Sequence, residues 1–193
     1  MAAAMLHLRS TSLAHTHAIA AALAGLSRSG DLVVLAGEMG SGKTAFAQGF
    51  AAALGVTEPV TSPTYTLVHS YEAGRVTLHH ADIYRLATMN EVADLALNEL
   101  LEYDGIVLVE WGDVVARSLG DHLMVRLDPA DPADGHADAD NNGDNNNDAD
   151  NNDDDNNDDD NNDDERVITV SATGRSWALR WERVEAVLSP FFA

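Results

Sequence analysis

The stretch Gly37-Glu38-Met39-Gly40-Ser41-Gly42-Lys43-Thr44 has the spacing G-x-x-x-x-G-K-[ST] of a phosphate-binding loop. Residues 31–36 before it form a short apolar run that predicts a buried strand, and residues 44–54 after it are typical of a helix. In this order of strand, loop and helix, the N–H groups of the loop and the helix N-terminus converge on one anion. The stretch therefore predicts nucleotide binding.

Lys43 is the single lysine of a chain whose other strong bases are all arginine. An ammonium is a compact charge on a flexible stem and can follow the β- and γ-phosphates, whereas a planar guanidinium is bulkier. We expect the hydroxyl of Thr44 to bind Mg²⁺. The nucleotide contacts predicted in the loop are Glu38, Met39, Gly40, Ser41, Gly42, Lys43 and Thr44.

The composition predicts one domain over residues 1–193 with an acidic insert at 131–165. The chain has 193 residues, is 45% hydrophobic and has a formal net charge of −21. Residues 131–165 contain 15 Asp and 1 Glu without Lys or Arg, which is half of the 32 acids. The other 158 residues carry 16 acids and 11 bases, a net charge of −5, as in an ordinary domain.

The insert is a low-complexity tract of Asn and Asp that cannot bury apolar surface, so we expect it to be disordered. Residues 138–143 match the opening of an EF-hand loop, but Ala149 stands where a bidentate Glu is needed, which argues against specific calcium binding. Strands predicted at 121–128 and 167–170 flank the tract, which makes it an enlarged hairpin loop.

Cysteine content and hydropathy favour a cytoplasmic protein without a membrane anchor. The chain has no cysteine, which excludes disulfides and zinc-thiolate sites. No apolar run approaches the roughly 20 residues that span a bilayer. Residues 18–26 could pass for a short signal core, but no basic region precedes them, and they fit better as part of a helix.

The remaining pattern predicts an α/β fold, a mixed sheet flanked by helices. A first helix is capped by Thr11 or Ser12. Further strands are expected within 60–71, which is partly looped, and at 75–82 and 106–109, with a turn at Ala73-Gly74. The helices are expected to turn one apolar face inward. In the first helix this face carries Leu13, Ile19, Ala20 and Leu23. In a helix capped by Asn90 it carries Val92, Leu95, Ala96, Leu100 and Tyr103, and in the last helix it carries Trp177, Trp181, Val184 and Leu188.

Two acids are placed to complete a site with the loop. Glu110 follows a four-residue apolar run at a strand end, the position of a Walker B acid, and Asp82 ends another strand. Arg85 is a candidate to stabilise transferred charge or to form a salt bridge. His79 and His80 point to opposite faces of one strand, so they cannot both bind one metal.

Four motifs follow one another along the chain. They are the loop 37–44, Thr61-Ser62-Pro63-Thr64-Tyr65, His80-Ala81-Asp82-Ile83-Tyr84-Arg85-Leu86 and Leu108-Val109-Glu110-Trp111. Together they resemble the TsaE family of small ATPases, which serve tRNA threonylcarbamoyladenosine biosynthesis in bacteria. The resemblance covers residues 6–128 and, more loosely, the segment from 166 onward. The insert departs from the family pattern.

The resemblance implies a P-loop NTPase-like mixed sheet and weak MgATP hydrolysis that depends on the partners TsaD and TsaB. It implies that Thr44 and Glu110 hold Mg²⁺, and that Asp82 acts in the shell of the metal and the attacking water. Lys43, Asp82 and Glu110 are then the catalytic residues, and residues 62–64, with Thr64, sense the γ-phosphate. Thr11, Ser12 and Arg166 would border the adenine.

Two other functions remain open at this point. A nucleoside or small-molecule kinase shares the phosphate loop, although no arginine-rich lid is visible, and a module that binds ATP without hydrolysing it is a third reading. No basic patch is visible either, so we expect contact with tRNA only indirectly, through a partner.

Overall fold

The structure, a computed structural model, describes residues 4–86, 88–102, 104–130 and 165–193. The disorder predicted for 131–165 concerns a segment that, except for Glu165, lies outside the described residues. Tyr103, expected on the inner face of a helix, lies outside them too.

The described residues form one seven-stranded sheet. Its strands are β1 (Met5–Ser10), β2 (Leu32–Ala36), β3 (Val68–Ala73), β4 (Val76–Asp82), β5 (Gly105–Glu110), β6 (His122–Pro129) and β7 (Arg166–Thr173). Their order is β1-β7-β6-β2-β5-β4-β3. Neighbours among β6, β2, β5 and β4 are parallel, whereas β3, β7 and β1 each join antiparallel to a neighbour. The predicted mixed α/β sheet is confirmed.

Helices cover both faces of this sheet. They are α1 (Leu13–Ala24), α2 (Lys43–Leu54), α3 (Met89–Asp94), α4 (Leu97–Glu102), α5 (Arg175–Ala178) and α6 (Trp181–Leu188). Residues of α1, α2 and α6 pack on the face that carries Val33 and Leu35, and residues of α3 and α4 pack on the face that carries Val34. Every residue of β2 and β5 is buried, because both faces of these central strands are covered.

Ser12, one of the two predicted caps, caps α1. Three other helix predictions need correction. Leu13 is 52% exposed because it lies on the outer face of α1. Thr88, not Asn90, caps α3, through a reciprocal pair of bonds with Glu91. The single helix predicted there is two short ones, since Ala96 between them adopts a φ of 49°.

The last predicted helix is also divided. Trp177 lies in α5 and is fully buried, while Val184 and Leu188 are buried in α6. Asp121 accepts hydrogen bonds from the backbone N–H groups of Arg175 (2.7 Å) and Ser176 (3.0 Å) at the start of α5. The bonds from Ser176 and Arg175 lower the pKa of the Asp121 carboxyl.

Strand pairing adds one element and confirms another. The sequence analysis did not predict β1, which pairs with β7 along its whole length. The hairpin of β6 and β7 around the insert is confirmed, and the N–H of Ala130 donates to the carbonyl of Glu165 (3.1 Å) where the two chain segments leave the sheet.

A buried ion pair joins the start of β2 to the C-terminal helices. The guanidinium of Arg180 donates to both carboxylate oxygens of Asp31, at 2.6 and 2.8 Å, and both side chains are less than a tenth exposed. Arg180 also donates to the carbonyls of Leu26 (2.9 Å) and Ser176 (3.1 Å), and it stacks 4.0 Å from the ring of Trp177. The strand that leads into the loop 37–44 is therefore tied to the last helices.

Candidate functional site

The predicted site residues meet at one edge of the sheet, where three parallel strands end. The loop 37–44 follows β2, Asp82 is the last residue of β4 and Glu110 is the last residue of β5. Strand register places Glu110 beside both Leu35 and Asp82. A cavity of about 390 Å³ opens there and is lined by Met39, Gly40, Gly42, Lys43, Thr44, Ala45, Ser62, Thr64, Asp82, Tyr84, Arg85, Glu110 and Trp111.

The backbone of the loop depends on glycine. Gly37, Gly40 and Gly42 have φ values of 133°, 81° and 102°, in the region that side chains disfavour. A Cβ on Gly37 would also overlap the backbone carbonyl of Leu127 and the hydroxyl of Ser41. Gly42 directly precedes α2, so the loop delivers the chain to the N-terminus of that helix, where backbone N–H groups lack helical partners.

Lys43 is held inside the loop. Its ammonium donates to the carbonyls of Gly37 (2.8 Å) and Glu38 (2.7 Å) and lies 3.9 Å from the ring centre of Trp111. The side chain is only 5% exposed. Burial lowers the pKa of Lys43 below its ordinary value, and the nearby carboxylates, chiefly those of Glu110 and Asp82, partly oppose that effect.

Glu110 is bound from two sides. The hydroxyl of Thr44 lies 3.0 Å from its Oε1 and 3.3 Å from its Oε2. The Nε2 of His80 lies 2.9 Å from the same Oε1. Thr44 and Glu110, which were predicted to hold Mg²⁺, are thus in direct contact with each other, and the contact with His80 is one that the sequence analysis did not predict.

Asp82 is oriented by the segment 62–64. Its Oδ2 accepts hydrogen bonds from the hydroxyls of Ser62 (2.8 Å) and Thr64 (2.9 Å), and its Oδ1 accepts from the N–H of Tyr84 (2.9 Å). Asp82 and Glu110 are each 3% exposed, and they line the same cavity as the ammonium of Lys43 and the guanidinium of Arg85. Two carboxylates buried at one edge of the sheet attract a divalent cation.

The donor set suits magnesium. Thr44 supplies a hydroxyl and Asp82 and Glu110 supply carboxylates, which are the hard oxygen ligands that Mg²⁺ prefers. Within the described ranges, no three His, Cys, Asp or Glu side chains group closely enough to hold a metal ion unaided. Mg²⁺ is commonly bound by one or two carboxylates together with substrate phosphates, so this sparse set fits it.

Five of the predicted nucleotide contacts do not line the cavity that the described residues form. They are Thr11, Ser12, Glu38, Ser41 and Arg166. Strand register brings Ser10 of β1 beside Arg166 of β7, at the same sheet edge as the loop. The Nε of Arg166 donates to the carbonyl of Ser41 (3.1 Å), so this arginine contacts the loop backbone directly.

Two aromatic residues complete the mouth of the cavity. The rings of Tyr84 and Trp111 lie 4.8 Å apart, and the guanidinium of Arg85 stacks 4.4 Å from the ring of Tyr65, which is 84% exposed. Tyr84 and the bond between His80 and Glu110 were missed. Strand alternation does place His80 and Asp82 on one face, which is the signal that could have found the histidine.

Comparison with known proteins shows the family to which this chain belongs. The family model described as "Threonylcarbamoyl adenosine biosynthesis protein TsaE" matches residues 10–135, more than half of the chain. The chain belongs to the TsaE family. The resemblance noted from the four motifs is confirmed, and with it a place among proteins of threonylcarbamoyladenosine biosynthesis.

Individual TsaE relatives match about half of the chain. The Bacillus subtilis tRNA threonylcarbamoyladenosine biosynthesis protein TsaE is 41% identical over 104 residues, which cover 54% of this chain and 65% of the relative, just under two thirds of its length. The protein of the same name from Treponema pallidum is 41% identical over 99 residues, covering 51% and 73%. The crystal structure of Bacillus subtilis YdiB superposes with a TM-score of 0.66 at 27% identity and covers 96% of this chain and 97% of that one.

Over the part of the chain that the structure describes, no helix is long and apolar enough to cross a membrane.

Proposed function

We propose that this chain binds MgATP at the loop 37–44 and hydrolyses it slowly, in support of a TsaD–TsaB enzyme that forms threonylcarbamoyladenosine next to the anticodon of tRNA. One observation carries the ATPase proposal: Lys43, Thr44, Glu110 and Asp82 come from three separate strand ends and converge on one cavity. The pathway follows from the family and from the names of the relatives.

Each residue has a distinct task in this proposal. The ammonium of Lys43 exchanges its two carbonyl acceptors for phosphate oxygens, and the N–H groups at the start of α2 bind the same phosphates. Thr44 and Glu110 would hold Mg²⁺, which would supply positive charge to the phosphates. Because phosphoryl transfer depends mainly on positioning and electrostatics, these contacts supply much of the catalysis.

Asp82 orients the attacking water. Its Oδ2 is fixed by the hydroxyls of Ser62 and Thr64, so a shift of the segment 62–64 on nucleotide binding moves this carboxylate as well. That coupling makes the segment 62–64 a sensor of the γ-phosphate. A site that is complete only after this shift hydrolyses slowly by itself and faster when a partner holds the segment in place.

TsaD and TsaB are the proposed partners, and tRNA is reached only through them. Outside the insert the chain carries 16 acids and 11 bases, a net negative charge that disfavours direct binding to a phosphate backbone. We place this work in the cytoplasm, where tRNA is modified.

The test compares Glu110→Gln with Glu58→Gln, which removes an exposed carboxylate outside the cavity. We expect Glu110→Gln to bind ATP and to lose turnover by about 100-fold or more, and Glu58→Gln to match the wild type. Turnover is measured as phosphate release with and without TsaD–TsaB. Unchanged turnover in Glu110→Gln would remove that residue from the mechanism, and no binding to TsaD–TsaB with any nucleotide would refute the partnership. Loss of the γ-phosphate that requires an added acceptor would instead indicate a kinase.

A further inference from the structure

His80 is a buried imidazole with one polar partner. It lies in β4, is 0% exposed, and its Nε2 lies 2.9 Å from Oε1 of Glu110. Its Nδ1 is buried and has no hydrogen-bond partner among the residues that the structure describes. Burying a polar nitrogen without a partner costs free energy that an apolar side chain would avoid. The bond to Glu110 is therefore the contact that explains a histidine at this position.

A hydrogen on Nε2 follows from its neighbour. A carboxylate oxygen accepts hydrogen bonds, so Nε2 carries a hydrogen and donates a hydrogen bond to Oε1 of Glu110. His80 does not line the cavity, so it acts on the site through Glu110.

The two oxygens of Glu110 are held unequally. Oε1 has close contacts with both His80 (2.9 Å) and Thr44 (3.0 Å), whereas the one contact of Oε2 among the described residues is the longer one with Thr44 (3.3 Å). Fixing one oxygen of a carboxylate sets the direction of the other. Donors that hold a ligand from behind in this way typically change metal affinity by about 10–100-fold when removed.

We propose that His80 is a positioning residue, which fixes Oε1 of Glu110 so that Oε2 stays directed at the Mg²⁺ of the nucleotide complex. This inference rests on the proposed MgATP site and adds to it the group that orders its carboxylate. It predicts that His80 contributes to the enhancement of ATP affinity by Mg²⁺, and not to the affinity for ATP without Mg²⁺.

The first experiment measures the dissociation constant of ATP with Mg²⁺ and with EDTA. The variants are His80→Leu, which removes the donor at similar size, and His80→Gln, whose amide can still donate. His79→Leu is the matched control, because His79 lies on the other face of the same strand and pairs with Ser70 (2.8 Å).

We expect His80→Leu to reduce the enhancement of ATP affinity by Mg²⁺ by about 10-fold and to leave the affinity in EDTA within about twofold of the wild type, since the lost bond is not to nucleotide. His80→Gln should recover most of the enhancement, and His79→Leu should keep all of it. In a Glu110→Gln background, His80→Leu should have no further effect, because the two residues act in series.

Several outcomes would overturn the inference. An undiminished enhancement in His80→Leu would do so, as would an equal loss of affinity with and without Mg²⁺, which marks a purely structural role. If His80→Leu reduced the Mg²⁺ enhancement as much in the Glu110→Gln background as in the wild type, His80 would not act through Glu110. A wild type without any enhancement by Mg²⁺ would refute the metal site itself, and that result is read from the wild type alone.

A second measurement needs no variant and holds even if His80→Leu does not fold. The ¹⁵N spectrum of the wild-type imidazoles should show His80 protonated at Nε2, whatever the state of Nδ1. An Nε2 without a proton would contradict donation to Glu110 and overturn the inference.

Discussion

Breaking the buried ion pair between Asp31 and Arg180 should lower the free energy of unfolding more than breaking an exposed ion pair does. Removing one partner of a buried pair leaves an uncompensated charge, at a cost of about 3–5 kcal/mol. The carbonyls of Leu26 and Ser176 still accept from Arg180, so we expect Asp31→Leu to lie at the lower end, about 3 kcal/mol. At about 2–4 °C per kcal/mol, the melting temperature should fall by about 6–12 °C.

The assay is urea denaturation followed by circular dichroism. The control is Asp113→Ala, which breaks an exposed pair with Arg126 (3.0 Å) and should cost less than about 1 kcal/mol. The double variant Asp31→Leu/Arg180→Met should recover much of the loss, because an apolar pair leaves no buried charge. The reasoning fails if Asp31→Leu lowers the free energy of unfolding no more than the control does. It also fails if the double variant loses as much free energy as Asp31→Leu and Arg180→Met lose together.

Four further predictions concern the loop, the cap of α5 and the insert. Lys43→Ala should weaken ATP binding at least about 10-fold, since it removes a charged donor, with an unchanged circular dichroism spectrum; binding at wild-type strength would contradict its role. Gly37→Ala should lower the free energy of unfolding in urea by about 1–3 kcal/mol and impair ATP binding. Gly40→Ala should lower that free energy by less, because a Cβ there meets open space. Equal losses in the two variants would refute the steric argument. The pKa of Asp121 is lowered in the native state, so its contribution to stability is complete above its unfolded pKa of about 3.9 and is lost as pH falls through the native pKa. Asp121→Ala should therefore weaken the fall of unfolding free energy at acid pH. An unchanged pH dependence of that free energy would contradict this. Replacing residues 131–164 by Asn-Gly should preserve folding and ATP binding, because the bond between the chain segments at 130 and 165 already sets up a two-residue hairpin turn; loss of either property would give the insert a structural role.

The parts of the site that the sequence predicted are those encoded locally. The loop 37–44 is a contiguous pattern between an apolar strand and a helix, and Glu110 follows an apolar run, so each could be placed without knowing its neighbours. Their convergence followed from the rule that parallel strands end at one edge of a sheet.

The parts that were missed depend on contacts between distant segments. Strand β1 is short, and its partner β7 lies more than 150 residues further along the chain, so no local pattern announces the pairing. The break between α3 and α4 rests on the backbone of Ala96, whose left-handed conformation no residue type there demands. The bond from His80 to Glu110 required the register of β4 on β5, which apolar periodicity does not supply.

The contact between Lys43 and Trp111 gives the protein an optical property. Of the three tryptophans in the chain, Trp177 is fully buried against Arg180 and Trp181 donates to Glu185, whereas Trp111 lines the cavity with an ammonium 3.9 Å from its ring. A phosphate that draws the ammonium away from the indole alters the electric field on a fluorophore that is already built in. A chain with Phe at positions 177 and 181 would therefore emit from a single indole, and its spectrum would follow the occupancy of the loop without any attached dye.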